Sequence, residues 1–295
     1  MKLNQRIMQI GLGAMLLTLV LGIIYTMTTR LDNPVFLRYS MDVPVMSRES
    51  AQGQAVFILH YLTNISDERN IMGISFLEAE EFYFNTSETT PGFVANFAFF
   101  HEATNQDRGQ KLGKYSLRTI FLQQTNYFRE DWTGEKEVNT AIISFNDGTT
   151  LTADIGRIVL YSDPIHKSVV YQDRSEVSND YSSISDYRML EDVRIEGISS
   201  PLLNEEEDLF DLKFDEASFV NVKNMHYLKG HKVKVTSAIL DSADAQYDIY
   251  DLKPKVNYQI EDGTRDYQRL DNIRWQRSLD KYRKALIYLR ERGAL

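Results

Sequence analysis

The sequence predicts a mainly β protein. An N-terminal transmembrane helix is followed by two tandem antiparallel β-sandwich domains of the immunoglobulin-like kind and a C-terminal amphipathic α-helix. Three observations predict it. One uncharged apolar run opens the chain, short period-two segments fill its middle, and the final stretch changes to a helical period.

Between Arg6 and Arg30 lie 23 positions without a charged residue, and only Gln9 among them is strongly polar. At about 1.5 Å per residue such a helix crosses roughly 30 Å of hydrocarbon. A cleaved leader would have an apolar core of about 7–15 residues followed by an A-x-A pattern. Here the core ends in Tyr25-Thr26-Met27-Thr28-Thr29-Arg30, with no A-x-A after it. Residues 1–30 are therefore expected to be a short cytoplasmic tail and a retained signal-anchor. The span includes Ile7, Ile10, Leu16, Leu19, Leu21, Ile24 and Met27. No later run approaches this length, so a single pass is expected. Lys2 and Arg6 on the short side match Arg30 and Arg38 on the long side. The free amino terminus favours the cytoplasm for the tail, and long domains are translocated largely regardless of charge. The body is expected on the extracytoplasmic side of the cell membrane.

Residues 31–54 hold two of the six prolines and no sustained periodicity, which reads as a spacer with one short strand near 35–39. After it come AVFILHYLTN, FVANFAFFHE, KYSLRTIFLQQ, NTAIISF, TLTADI, RIVLYS, DLFDLKF, HKVKVTSAIL and KVNYQI. These are rich in β-branched and aromatic residues and bounded by Asn, Asp, Gly and Pro, as short antiparallel strands are. Asp147-Gly148 suits a tight hairpin turn. The expected division is a first sandwich over 55–165, a Ser/Asp/Asn-rich linker over 166–186 and a second sandwich over 187–265.

An internal repeat supports two copies of one domain. Ile71-Met72-Gly73-Ile74-Ser75 recurs as Ile195-Glu196-Gly197-Ile198-Ser199, with an acidic run after each copy. The strand 114–122 has a counterpart in 232–240, and Asp147-Gly148-Thr149 recurs as Asp262-Gly263-Thr264. The landmarks keep their order at a nearly constant offset. Two such domains would sit in line like beads, each burying its own inner faces.

The last segment, 266–295, reads as a basic amphipathic helix. Trp275, Leu279, Tyr282, Leu286 and Leu289 form one stripe, and Arg274, Arg277, Lys281 and Lys284 form a neighbouring one. Asp271 is the expected N-cap and Gly293 the stop. The helix would meet a membrane surface or a partner, or pack its apolar stripe on the second sandwich.

Composition removes several function classes. The net charge is −9; with +3 on Lys2, Arg6 and Arg30, residues 31–295 sum to −12, which repels nucleic acid. There is no cysteine, so disulfides, zinc–thiolate sites and thiol nucleophiles are excluded. The histidines His60, His101, His166, His226 and His231 form no HExxH, and no Walker loop, G-x-S-x-G or G-x-G-x-x-G occurs. No cofactor is expected. Glu205, Glu206 and Asp208 are weak calcium candidates at a sandwich edge. The expected role is a non-enzymatic interaction, accessory or scaffold component of a bacterial envelope or membrane complex, working with a protein partner there. The alternatives are an envelope glycan hydrolase using two carboxylates, and a ligand-sensing ectodomain that signals through a partner.

Overall fold

The computed structural model describes residues 2–46, 56–89, 109–125, 132–164, 167–177, 182–203, 209–240, 247–271, 273–276 and 278–295. The chain starts with one helix, α1 (Lys2–Thr28). Its stretch Met8–Thr28 is long and apolar enough to cross a membrane, and none of it is buried against the protein.

Nine strands follow among the described residues: β1 (Val35–Phe36), β2 (Tyr39–Pro44), β3 (Val56–Asn64), β4 (Ile71–Phe76), β5 (Phe84–Ser87), β6 (Gln110–Leu112), β7 (Tyr115–Gln124), β8 (Gly134–Phe145) and β9 (Thr150–Ser162). One sheet runs β1-β3-β7-β5, with β6 also on β7, and the facing sheet contains β2-β9-β8-β4. With β1 and β2 taken as the halves of one opening strand, these are the orders A-B-E-D and A′-G-F-C of an immunoglobulin-like sandwich. Alternating side chains make the core: Phe57, Leu59 and Tyr61 of β3 face Ile74 and Phe76 of β4 and Ile143 of β8.

The second half repeats the plan with β10 (Val170–Val177), β11 (Ser182–Met189), β12 (Val193–Ser199), β13 (Phe210–Phe214), β14 (Ala217–Ser218), β15 (His226–Tyr227) and β16 (Lys232–Ile239). Then come β17 (Ile249–Leu252), β18 (Lys255–Ile260), β19 (Arg265–Arg269) and β20 (Ile273–Gln276). The sheets are β10-β11-β16-β13-β14 and β15-β12-β18-β19, again A-B-E-D over C-F-G. The sequence landmarks fall on equivalent places. The two Ile-x-Gly-Ile-Ser segments are β4 and β12, and each carries a register irregularity at its glycine, between Ile71 and Gly73 and between Ile195 and Gly197. The two Asp-Gly-Thr segments turn the last hairpin of each repeat. Asp147 Oδ1 accepts from the Thr149 amide at 2.9 Å, and Asp262 Oδ1 from the Thr264 amide at 2.8 Å. Gly148 and Gly263 adopt φ +82° and +87°, a left-handed conformation that favours glycine.

The repeats are interlocked. Strand β17 lies in the connection from β16 to β18, yet it pairs with neither sheet of the second sandwich. It runs parallel to β2 and antiparallel to β20, extending the first repeat's sheet to β20-β17-β2-β9-β8-β4. That sheet becomes a shared middle layer. Tyr39, Met41, Ile158 and Leu160 point into the first core. Val159, Tyr250, Leu252, Ile273 and Trp275 point into the second. The parallel pairing of β2 with β9 depends on Gly156. At φ +82°, a Cβ there would sit 2.3 Å from the Tyr39 carbonyl oxygen and 2.5 Å from its amide nitrogen.

The final helix, α2 (Tyr282–Glu291), buries Ala285, Tyr288 and Leu289 with Leu279 in the first core. The Tyr288 hydroxyl donates to the Phe36 carbonyl at 3.1 Å and accepts from the Arg38 amide at 3.0 Å. It thereby pins the point where the chain crosses from β1 to β2.

Several expectations are corrected by this arrangement. Residues 31–54 do not form a plain spacer: β1 and β2 enter both sheets of the first sandwich, and Pro44 is tolerated because it ends its strand. The 166–186 linker contains β10 and the start of β11, a hairpin of the second sandwich. Within 187–265, β17 belongs to the first repeat's sheet. The C-terminal helix does not begin near 266. That stretch holds β19 and β20 because Ile273 and Trp275 alternate into a core, and α2 starts only at Tyr282. It packs on the first sandwich rather than the second. The run FVANFAFF lies outside the described residues.

Candidate membrane-proximal site

The end of α1 is bonded into the first sandwich, and this joint is the best-defined candidate site. Tyr25 sits one turn before the end of α1, near the C-terminal end of the apolar stretch Met8–Thr28. Its hydroxyl lies 2.8 Å from that of Tyr282, in the first turn of α2. The ring of Tyr282 stacks on Tyr115 with centroids 5.7 Å apart. Gly113, at φ +66° in the turn before β7, leaves room for it: a Cβ there would meet the Tyr282 ring at 2.6 Å.

Three further contacts fix the exit of the chain. The Tyr115 hydroxyl donates to the Thr29 carbonyl at 2.5 Å. Lys114 Nζ donates to the Thr29 hydroxyl and lies 5.3 Å from the centroids of both Tyr25 and Tyr115. Asn64 holds Leu31 in a two-way clamp, accepting from its amide at 3.0 Å and donating to its carbonyl at 2.6 Å. Desolvation lowers the pKa of Lys114 and raises that of Tyr115 to about 12. These contacts tie the end of α1 to β7 and α2 of the first sandwich.

Beside it lies an open polar groove of about 700 Å³ lined by Arg30, Asp32, Asn64, Asp67, Arg69 and Asp147, among others. Asp67 and Arg69 form a fork, at 3.0 Å to Arg69 Nε and 2.9 Å to its Nη2. Burial works against the Asp67 carboxylate, but the bonds from Arg69 and Thr63 outweigh it and hold its pKa down at about 2. The groove is therefore braced by its own ion pair.

A second charged cluster joins the repeats. Arg269 of β19 reaches Asp163 at 2.7 Å and Glu135 at 2.6 Å, and its guanidinium carbon lies 3.7 Å from the centre of the Tyr161 ring. Asp42 of β2 accepts from the Lys253 amide at 2.7 Å and is 3.9 Å from Arg269. Its other oxygen has no hydrogen-bond partner among the described residues. Burial raises the Asp42 pKa to about 6 against the opposing Lys253 amide and Arg269 charge. These carboxylates are occupied in a buried structural lock.

The residues singled out from sequence are scattered by the fold. Ile10, Leu16, Leu19, Leu21, Ile24 and Met27 are exposed along α1, and Ile7 lies in the same helix. Trp275 is in β20 against Tyr250, and Arg274 pairs with Asp251 at 2.7 Å across β17. Lys281 is the N-cap position of α2 without a side-chain cap, and Lys284 pairs with Asp280 at 2.6 Å. Tyr282, Leu286 and Leu289 line the face of α2 against the first core. Gly293, at φ +65°, follows the helix end. Arg277 lies outside the described residues, as do Glu205, Glu206 and Asp208. No group of three or more possible metal ligands occurs among the described residues. Sequence reading missed Tyr25, Asn64, Lys114 and Tyr115. Only Tyr25, an aromatic residue at the end of a span, carried a local signal.

No protein-family model matches the chain, and the search of curated proteins gives no match. Among solved structures, fibronectin(III)-like modules of Clostridium thermocellum CbhA align at 9% identity, covering 82% of this chain and 92% of theirs, with a TM-score of 0.19. The zebrafish RET cadherin-like domains 1 to 4 align at 9% identity, covering 81% of this chain and 51% of theirs, with a TM-score of 0.16. Likenesses this slight carry no functional argument. The architecture rests on the strand pairings.

Proposed function

We propose that this protein is a single-span, membrane-anchored interaction or scaffold component of a bacterial envelope or membrane complex, with both sandwiches on the extracytoplasmic face and no catalytic role. The observation that supports this reading is the joint between α1 and the first sandwich. A leader destined for removal has no reason to share hydroxyl, amide and ring contacts with the mature body, whereas a retained anchor that sets the body's orientation does. The interlocked repeats then present sheet edges and loops at a fixed height and angle above the bilayer, as a docking component requires.

Protease added to intact cells, followed by mass analysis of the membrane fraction, tests it. The expected result is loss of the body from intact cells, together with an untreated chain that still carries residues 1–30. A mature chain beginning after Arg30, or a body protected until lysis, would overturn it.

A further inference from the structure

The cations of the C-terminal segment fall into two sets. Lys284 is paired with Asp280, and Arg292 donates to Asp154 at 2.9 Å. Arg283 and Arg290 are exposed and make no ion pair among the described residues. Seven positions apart, they occupy one stripe of α2, next to the stripe that carries Tyr282 and Leu286. Tyr282 is the residue that touches Tyr25 at the end of the apolar stretch. Arg290 lies near the same joint, where its charge acts on both Tyr115 and Tyr282. These two arginines, without an ion pair among the described residues, thus share an exposed stripe of α2, the helix whose Tyr282 contacts the end of α1, on a body whose net charge is otherwise strongly negative.

We propose that Arg283 and Arg290 seat α2 on the anionic phospholipid headgroups of the leaflet that α1 leaves. This rests on the reading of α1 as a retained anchor. The span fixes α2 at headgroup height, and exposed guanidinium groups there pair with lipid phosphates in forked geometry. The contact counters the repulsion between an acidic body and an anionic surface, and it leaves the opposite, apolar face of α2 in the first core. The span tethers the molecule; the arginines set how its foot rests on the surface.

The test uses the full chain reconstituted in nanodiscs of phosphatidylcholine, with or without phosphatidylglycerol, so that the anchor is in a bilayer in every arm. Hydrogen exchange of the α2 amides is the readout. Exchange should slow on the order of ten- to thirtyfold when phosphatidylglycerol is present, the effect expected of two arginines near an anionic surface. It should lose that lipid dependence in Arg283→Gln/Arg290→Gln. A Lys284→Gln variant, in which a paired cation is removed, should keep it. Equal exchange in the two lipids, persistence of the effect in the double variant, or the same slowing by soluble inorganic phosphate over phosphatidylcholine discs would overturn the proposal. Any of these would leave the anchor itself standing, because membrane retention is read separately from the nanodisc fraction.

Discussion

The two repeats share a strand plan but use their edges in opposite ways. In the first, the opening strand splits, and its second half, β2, would leave a bare edge parallel to β9. That edge is covered by β17 and β20, which come from the second half of the chain. Among the described residues the second repeat has no such split strand in its C-F-G sheet, whose edges are β15 and β19. One repeat receives and the other gives. An exposed edge invites pairing with other chains, and here the molecule closes one of its own edges with its own later strands. The difference teaches that a duplicated fold can become one mechanical unit through its connections, whose side chains enter the cores of both copies.

The largest expected effect comes from the lock between the repeats. Arg269→Met leaves Asp42, Glu135 and Asp163 without their buried cation and should cost about 3–5 kcal/mol in urea unfolding of the detergent-solubilised chain. The exposed pair Arg188–Asp173, on the outer sheet of the second repeat, is the control. Arg188→Met should change stability by no more than about 1 kcal/mol. Similar losses in the two variants would mean that the lock does not hold the repeats together.

Next is Leu289→Ala in α2. Leu289 is fully buried, so the loss should be about 2–5 kcal/mol. The region that weakens is the informative part. Hydrogen exchange should accelerate in β3 and β7 of the first repeat, although the substitution lies beyond the end of the second. Acceleration confined to β11 and β16 would refute the receiving role assigned to the first repeat.

A pH measurement separates two groups, Asp42 in the middle sheet and His60 in β3 of the sheet facing it. Burial lowers the pKa of His60 from 6.5 to about 4, in a site where its ring lies 2.9 Å from the Tyr39 hydroxyl. The unfolded chain therefore binds the additional proton, and stability falls as pH drops from about 6.5 to 4. Asp42 does the reverse. Its raised pKa makes the folded chain bind the additional proton, so stability rises as pH drops through about 6 toward 3.8. In the wild type these contributions largely cancel. Asp42→Asn should expose the histidine and steepen the acid loss by about 3 kcal/mol over that window, as read by denaturant titrations at each pH. Parallel profiles for wild type and variant would show that Asp42 is not raised.

The smallest effect tests the likeness itself. Gly148→Ala and Gly263→Ala each force an L side chain into left-handed backbone, with open space at Gly148 and only an ordinary contact, Gln259 Nε2 at 3.9 Å, at Gly263. Each should cost about 1–2 kcal/mol in thermal unfolding, nearly equally. Clearly unequal costs would mean that the matching turns do not do matching work.

Much of the sandwich plan was legible because strand periodicity is local. Strands such as β3, β7, β16 and β18 lie on the apolar alternations read from sequence, and the duplicated Ile-x-Gly-Ile-Ser and Asp-Gly-Thr segments mark equivalent points. The interlock was not legible. Ile249 to Leu252 is too short for its period to reveal a partner, and that partner is β2, some 200 residues earlier. Trp275 and Leu279 happen to stand four apart, which fits a helix, although one lies in β20 and the other in the irregular segment before α2. The joint was hidden for the same reason: Tyr25 and Tyr282 are 257 residues apart, and no local pattern announces a contact between them.

Covering β2 with strands from the far end of the chain also sets a timetable for biogenesis. The first repeat leaves the ribosome early, but its sheet and core stay incomplete until Tyr247, β17, β20 and α2 have been made. At typical elongation rates of about 5–20 residues per second, that is a wait on the order of ten seconds after β9 is synthesised. If α1 is the retained anchor proposed above, a partly formed sandwich with an open strand edge is held next to the membrane during this time. Chaperones that mask strand edges would find their substrate there, in the N-terminal half, while the second repeat is still being translated.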